Sequence, residues 1–294
     1  MSAAKVGHAG PRRDRVSLAL RVWGLAVYGF LFLPILVIVI YSFNNGRSIL
    51  TFAGVGLDGY RTGITDPTIQ DAVKTSIAAA GGTALVATVL GSLAGIALAR
   101  RKGKWTPLFL ALLFLILVTP EIVVAIALLI WFVRLGGPFG PHAANPIVSY
   151  GILRLWVGHS LFATAVVTLI VRARLAGLEE SLEEAAADLY ATPWRRFSQI
   201  TLPLMLPAVL AGALLSFSFS LDDTIISSFV SVAGSTPWPV YVFSAVRNAL
   251  RPEVASVSTL LLLLTLLAIA CVAVVLRRGG ASGEDVAKTM TVGG

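Results

Sequence analysis

The feature that most constrains the fold is a set of long stretches that contain no lysine, arginine, aspartate or glutamate. Five of them, residues 22–46, 75–99, 197–221, 224–246 and 254–276, each exceed 20 residues. A helix needs about 20 predominantly apolar residues to cross the hydrocarbon core of a bilayer. Backbone groups in lipid must be hydrogen-bonded within their own segment, and the alternating pattern of a β-barrel is missing. The stretches therefore predict membrane-spanning helices.

We predict six crossings and hence an all-α, polytopic membrane protein. The crossings lie near residues 21–43, 75–99, 106–133, 150–171, 204–230 and 254–276. One transmembrane domain is expected over residues 17–278. The tails, residues 1–16 and 279–294, are predicted to be disordered because they have no apolar face to bury. The first apolar run is too long for a signal-peptide core and is expected to remain as the first helix.

The distribution of positive charge predicts the orientation. With six crossings both termini lie on one side. That side, which includes loops 100–105 and 172–203, holds sixteen lysines and arginines, against four in the opposite loops. The positive-inside rule then places both termini in the cytoplasm of a bacterial inner membrane. The net charge of +8 is explained by topology, so nucleic-acid binding is not expected.

Several kinds of site are not expected from the motifs. No G-x-x-x-x-G-K-[ST] sequence is present, so any ATP-driven work must come from another polypeptide. Cys271 is the lone cysteine, and His8, His142 and His159 lack metal-ligand spacing. We therefore predict no metal site, no cofactor and no enzymatic activity, and we interpret His159 as a helix-packing residue.

Residues 178–203, the coupling segment, combine an apolar face with an acidic one. Ser181 and Glu184 have the spacing of a capping box, and Thr192-Pro193 predicts a second helix start after a bend at Tyr190. Helices that lie on lipid usually carry basic residues on the polar face, whereas this segment has five acids. A protein partner is therefore favoured, and packing on the chain's own bundle is the alternative.

Glu184-Ala185-Ala186, a turn at Tyr190 and Ile200-x-Leu202-Pro203 resemble the EAA loop of ABC importer permeases. The resemblance implies the type I importer transmembrane fold, also called MetI-like, and a coupling helix that docks on a cytoplasmic ATPase subunit. The ATPase-coupling residues that it implies are Glu183, Glu184, Ala185, Ala186, Asp188, Tyr190, Pro193, Leu202 and Pro203. Tyr190 stands where the family has glycine. Either its backbone stays helical or in the bridge region, or its ring adds contact area.

Three acidic residues are predicted to lie within the membrane. Glu121 is midway along the third crossing, and Asp222 and Asp223 are in the fifth. A charge at depth costs about 2.5–3.5 kcal/mol, so it needs a partner, water or a function. These acids are candidates for a cation pathway; capping or protonated carboxylates in helix packing are the alternative. Adjacent helical residues point about 100° apart, so at most one aspartate should face a lumen and the other should cap or brace a helix.

The sequences around these acids, Thr119–Val123 and Ser220–Asp223, together with Ser227–Val230 and Arg251–Val254, are similar to spermidine/putrescine permeases. The resemblance implies a polyamine permease subunit that works with a second homologous permease, an extracytoplasmic polyamine-binding protein and two ATPase subunits that bind ATP and Mg.

Three alternatives remain open: an importer for another small solute, a stand-alone proton-coupled transporter, and a membrane-embedded enzyme. The last is disfavoured because the two aspartates are adjacent and no H-E-x-x-H sequence occurs. Trp238, between two prolines, is predicted to be exposed. With loop 44–73 it is a candidate contact for the binding protein, and a membrane anchor is its alternative role.

Overall fold

The computed structural model describes residues 12–46, 48–49, 51–101, 103–135, 150–178, 181–248 and 251–278. Within these ranges the chain is helical, apart from turns and one isolated bridge between Asn44 and Val55. The helices are α1 (Arg12–Tyr41), α2 (Asp58–Thr65), α3 (Pro67–Arg100), α4 (Thr106–Val118), α5 (Glu121–Leu135), α6 (Tyr150–Ala176), α7 (Ser181–Asp188), α8 (Pro193–Arg196), α9 (Leu202–Asp222), α10 (Ile225–Val230), α11 (Trp238–Asn248) and α12 (Pro252–Arg278).

Five of the described helical segments are long and apolar enough to cross a bilayer, and a bent helix pair brings the number to six if it forms one span. The pair is α4 and α5, which meet at an angle of 102°. Pro120 favours the break because its ring disfavours the helical conformation of the preceding residue, and Thr119 is extended at φ −63°, ψ 129°. Glu121 therefore begins α5 and does not lie midway along a straight crossing, as the sequence predicted.

The fifth crossing differs from its predicted bounds at both ends. The short helix predicted after Thr192 and the crossing itself form one helical run, Pro193–Asp222, which includes a π-helical turn at Phe197–Thr201. The run ends at Asp222 because Asp223 is extended, at φ −61° and ψ 113°. The predicted crossing to residue 230 is thus divided, and α10 is a separate short helix.

The described residues divide into two compact units. One comprises residues up to Gly63 and the first part of α12 to Leu260. In it, Asn44 orders the loop after α1: its amide donates to the carbonyls of Ser48 and Thr51, and its side-chain oxygen accepts from the N–H groups of Gly46 and Ala53. The apolar window of α1 has no buried residue, which suits contact with lipid.

The other unit has α3, α6 and α9 as its core. Gly91 and Gly95 let α3 approach α6 closely: a Cβ on Gly91 would lie 2.6 Å from Val167 Cβ, and one on Gly95 would lie 2.9 Å from Val171 Cβ. Such small residues substitute for the hydrophobic driving force that lipid cannot supply. The resulting contact holds the middle of α3 firmly against α6.

The predicted tails are only partly described. Helix α1 begins at Arg12, so the last residues of the predicted tail 1–16 are helical. Residues 1–11, the tail 279–294, His8, His142 and the acids Glu179 and Glu180 lie outside the described residues.

Candidate functional site

Residues at the breaks in the third and fifth crossings line one cavity, which has a volume of about 660 Å³. Residues from α4, α5, α6, α9 and α10 form its wall. Glu121, Asp222 and Asp223 are all among them, so the structure brings together the three acids that the sequence singled out. We call this the acidic cavity.

The backbone breaks place both aspartates in the cavity wall. Asp222 is exposed, whereas the Asp223 side chain is only 9% exposed, in line with the expectation that one aspartate would face a lumen and the other would cap a helix. Asp223 also caps α10, since its Oδ1 accepts from the Ser227 N–H at 3.0 Å. The predicted capping role of one aspartate is therefore confirmed.

His159 is part of the cavity wall and is only 4% exposed. Its Nδ1 lies 2.6 Å from Ser220 Oγ and its Nε2 lies 3.0 Å from Ser227 Oγ. The Ser220 hydroxyl donates to Thr83 Oγ1 at 3.3 Å, so it accepts from Nδ1–H. Nε2 also lies 3.7 Å from Asp223 Oδ1.

Interpreting His159 as a packing residue missed this network. The sequence alone could have marked His159 as a site residue, because an ionisable residue within a membrane crossing marks a functional site by default. Ser220 and Ser227 were noted only as parts of a motif. Their partner could not be identified from sequence, since His159 and Ser227 are 68 residues apart.

The cavity favours positive charge. Among the described residues that line it, none is lysine or arginine, and the nearby Arg154 of α6 stacks on Phe132, 4.8 Å from the ring centroid. Phe162 and Phe219, an edge-to-face pair with centroids 5.6 Å apart, add aromatic wall. Ring faces attract cations. In the described part of the chain no group of three His, Cys, Asp or Glu side chains could hold a metal ion.

The coupling segment turns at Tyr190, which has φ 58° and is the one non-glycine residue with a positive φ in the described ranges. The N–H of Tyr190 donates to the Ala187 carbonyl at 2.9 Å, and that of Ala191 to the Ala186 carbonyl at 3.0 Å. This pair of bonds is a Schellman motif, whose left-handed position favours glycine. The helical alternative for Tyr190 is therefore wrong.

The side chains around this turn point outward. Tyr190 is 96% exposed, Leu189 81% and Trp194 73%. Of the other predicted coupling residues, Glu184, Ala185, Asp188, Pro193, Leu202 and Pro203 are exposed and Ala186 is half-buried. Glu183 is different: its Oε1 accepts from Arg100 Nη2 at 2.5 Å and from Thr201 Oγ1 at 2.7 Å. It faces the protein's own helices.

The prediction that Trp238 is exposed is wrong. Its side chain is only 4% exposed and stacks on Tyr241, with ring centroids 5.2 Å apart. Its backbone N–H donates to Ser76 Oγ of α3 at 2.7 Å. A buried, stacked indole cannot offer its face to a binding protein, so Trp238 serves to fix α11 on α3.

The comparison with known families agrees with this architecture. The profile of the family described as binding-protein-dependent transport system inner membrane component matches residues 87–278. The chain belongs to this family. It is an inner-membrane, multi-pass transport component, and its relatives are permease subunits rather than enzymes.

Two relatives from Escherichia coli K12 illustrate the similarity. The putrescine transport system permease protein PotI is 38% identical over 236 residues, which are 80% of this permease and 82% of PotI. The spermidine/putrescine transport system permease protein PotC is 34% identical over 241 residues, 82% of this chain and 87% of PotC.

Solved structures confirm the predicted importer fold. A permease chain of a bacterial ABC transporter that imports alginate superposes with a TM-score of 0.71 at 14% identity, covering 91% of this chain and 96% of the other. A chain of the inward-facing methionine transporter MetNI superposes with a TM-score of 0.59 at 18% identity, covering 73% and 99%.

Proposed function

We propose that this permease is a subunit of an ATP-driven importer for polyamines such as putrescine and spermidine, and that the acidic cavity lies on their path. The observation that carries the proposal is the meeting of Glu121, Asp222 and Asp223 at two helix breaks. Carboxylates in an apolar wall concentrate cations. The names of PotI and PotC support the same substrate class.

Polyamine chemistry fits the cavity in two respects. Primary ammonium groups donate to several carboxylate oxygens at once, and the methylene chain between them suits the wall formed by Phe162, Phe219 and Leu117. Contacts of this kind hold a cargo briefly and then release it. The chain's own residues bind and orient the cargo.

The coupling segment is proposed to receive the driving force. Glu184, Leu189, Tyr190 and Trp194 present an exposed acidic and apolar surface at the turn, which suits docking into a groove of an ATPase subunit. Two such subunits would bind ATP and Mg, and this chain itself would hold no cofactor. Both termini and the coupling segment would then be cytoplasmic, in agreement with the charge distribution.

Two further partners complete the transporter. A second, homologous permease would supply the other half of the pathway, since six crossings form half of a two-lobed channel. An extracytoplasmic polyamine-binding protein would deliver the cargo, and the exposed Phe52, Val55 and Leu57 of the outer loop are candidate contacts. Membrane lipid would cover α1.

The test is uptake of labelled putrescine by proteoliposomes that contain all four kinds of subunit. Asp222→Asn should lower uptake by about tenfold or more, because hydrogen bonds to charged groups are worth about 1.5–3 kcal/mol. Asp71→Asn removes an equal charge from a side chain that is 75% exposed and should change little. Uptake driven by a proton gradient without ATP would refute the proposal, and so would competition by thiamine but not by spermidine.

A further inference from the structure

Glu183 connects three helical elements through one carboxylate oxygen. Its Oε1 accepts from Arg100 Nη2 at 2.5 Å and from Thr201 Oγ1 at 2.7 Å. Arg100 ends α3, Glu183 lies in the first turn of α7, and Thr201 ends the π-helical turn that leads into α9. We call these residues the Glu183 cluster.

The Glu183 cluster is shielded from water. The side chains of Arg100 and Glu183 are only 20% and 28% exposed, and Thr201 is 6% exposed. An ionic hydrogen bond is shorter and stronger than a neutral one, and partial burial protects it from salt. The neighbouring Glu184 is exposed, as expected from the 100° between successive helical residues.

Helix α3 extends from the Glu183 cluster to the acidic cavity. Thr83 of the same helix accepts from Ser220, which accepts in turn from His159 in the cavity wall. Further along, Ser76 accepts from the Trp238 N–H of α11. Between Thr83 and Arg100, Gly91 and Gly95 pack against Val167 and Val171 of α6. A displacement of Arg100 is therefore applied to a helix that is hydrogen-bonded through Thr83 to Ser220 in the cavity wall.

From this geometry we propose that Glu183 is a positioning residue that makes α7 move as one body with α3 and the base of α9. The inference rests on the proposed docking of the coupling segment and concerns what happens after docking. Glu184 and Tyr190 receive the ATPase, and the Glu183 cluster passes their displacement to the helices that line the cavity. Without it, α7 would move alone.

The test separates hydrolysis from conformational coupling. In a Cys271→Ser background, Ile225→Cys places a thiol in the cavity wall, where Ile225 is 42% exposed. Its alkylation rate in the complete transporter is measured with and without ATP and vanadate. Glu183→Ala should reduce the ATP-induced change in rate by about fivefold or more, while ATPase activity is retained. Glu183→Gln, which still accepts both hydrogen bonds, should restore most of the change.

Two further variants keep the test decisive. Thr201→Val removes one hydrogen bond without a change of charge and should give a smaller loss in the same direction. Glu184→Ala should instead lower both the binding of the ATPase subunit to the permease and the ATP-induced change in alkylation rate. The inference is overturned if Glu183→Ala leaves the ATP-induced change in alkylation rate intact. It is also overturned if this variant loses ATP hydrolysis in proportion to the change in alkylation rate, or if the transporter with Glu183 intact shows no ATP-induced change. Because no cargo is required, a failure of putrescine uptake would refute only the proposed substrate.

Discussion

Tyr190 combines a strained backbone with an exposed ring, and substitutions there test whether the ring contacts a partner. A left-handed φ costs a residue with a Cβ about 1–2 kcal/mol. Glycine avoids this cost but loses about 0.5–1 kcal/mol more backbone entropy on folding. Tyr190→Gly should therefore stabilise the turn by roughly 0.5–1 kcal/mol. The protection of the Ala191 amide against hydrogen exchange, measured in the isolated chain, reports this gain.

The same substitution should weaken docking. The Tyr190 ring is 96% exposed, so nearly all of its surface is available to the ATPase. A buried aromatic anchor is worth about 2 kcal/mol or more at an interface, which corresponds to roughly a thirtyfold loss of affinity. Tyr190→Gly should thus give a more stable turn and a weaker complex. The assay is titration of the ATPase subunit onto the permease in nanodiscs.

Tyr190→Ala is the matched control, because alanine removes the ring but keeps the strain at φ 58°. It should weaken binding as much as glycine does, without the added exchange protection. A glycine variant that binds the ATPase as tightly as the parent would refute a contact role for the ring. A glycine variant without added protection would show that the turn is not strained in the isolated chain.

Two further predictions concern packing inside the membrane. Gly91→Ala should destabilise the permease by about 1–3 kcal/mol, because its Cβ would lie 2.6 Å from Val167 Cβ. The measurement is thermal unfolding in detergent. The control is Gly81→Ala on the same helix, which should be tolerated because a Cβ there would have nothing within 4 Å. His159→Leu should lower both stability and putrescine uptake, because two buried serine hydroxyls lose partners worth about 1–3 kcal/mol each. Ser160→Ala, which loses only a bond to its own helix at Val157, should behave like the parent, and an unaffected His159→Leu variant would contradict the proposed network.

The crossings could be predicted from the sequence because they depend on local properties along the chain. Hydrophobic length and the distribution of lysine and arginine need no knowledge of packing. The breaks were harder to predict. Pro120 pointed to one, but proline is tolerated inside other helices of this chain, such as Pro34 in α1 and Pro207 in α9. Whether a proline breaks a membrane helix depends on what satisfies the freed backbone groups, which is a tertiary property.

The acids of the cavity were identified from sequence, whereas their neighbours were not. An acid in an apolar run is unusual enough to be noticed in isolation. His159, Thr83, Arg100 and Thr201 acquire meaning only through partners far away in the chain, such as the 137 residues between Thr83 and Ser220. Trp238 was misjudged for the same reason, because flanking prolines indicate a turn but say nothing about what covers the indole.

The helix breaks also explain how carboxylates are kept at this depth without a basic partner in the described cavity wall. A break frees backbone N–H groups, and a carboxylate can satisfy them: Asp223 accepts from the Ser227 N–H at the start of α10. A continuous helix offers no free donor within a crossing, so an aspartate there would need water, a proton or a basic partner. Such a partner would cancel the negative charge that attracts a cation. Breaking the helix thus supports the acid without a basic partner, and under the proposed function its charge stays available to a cationic cargo.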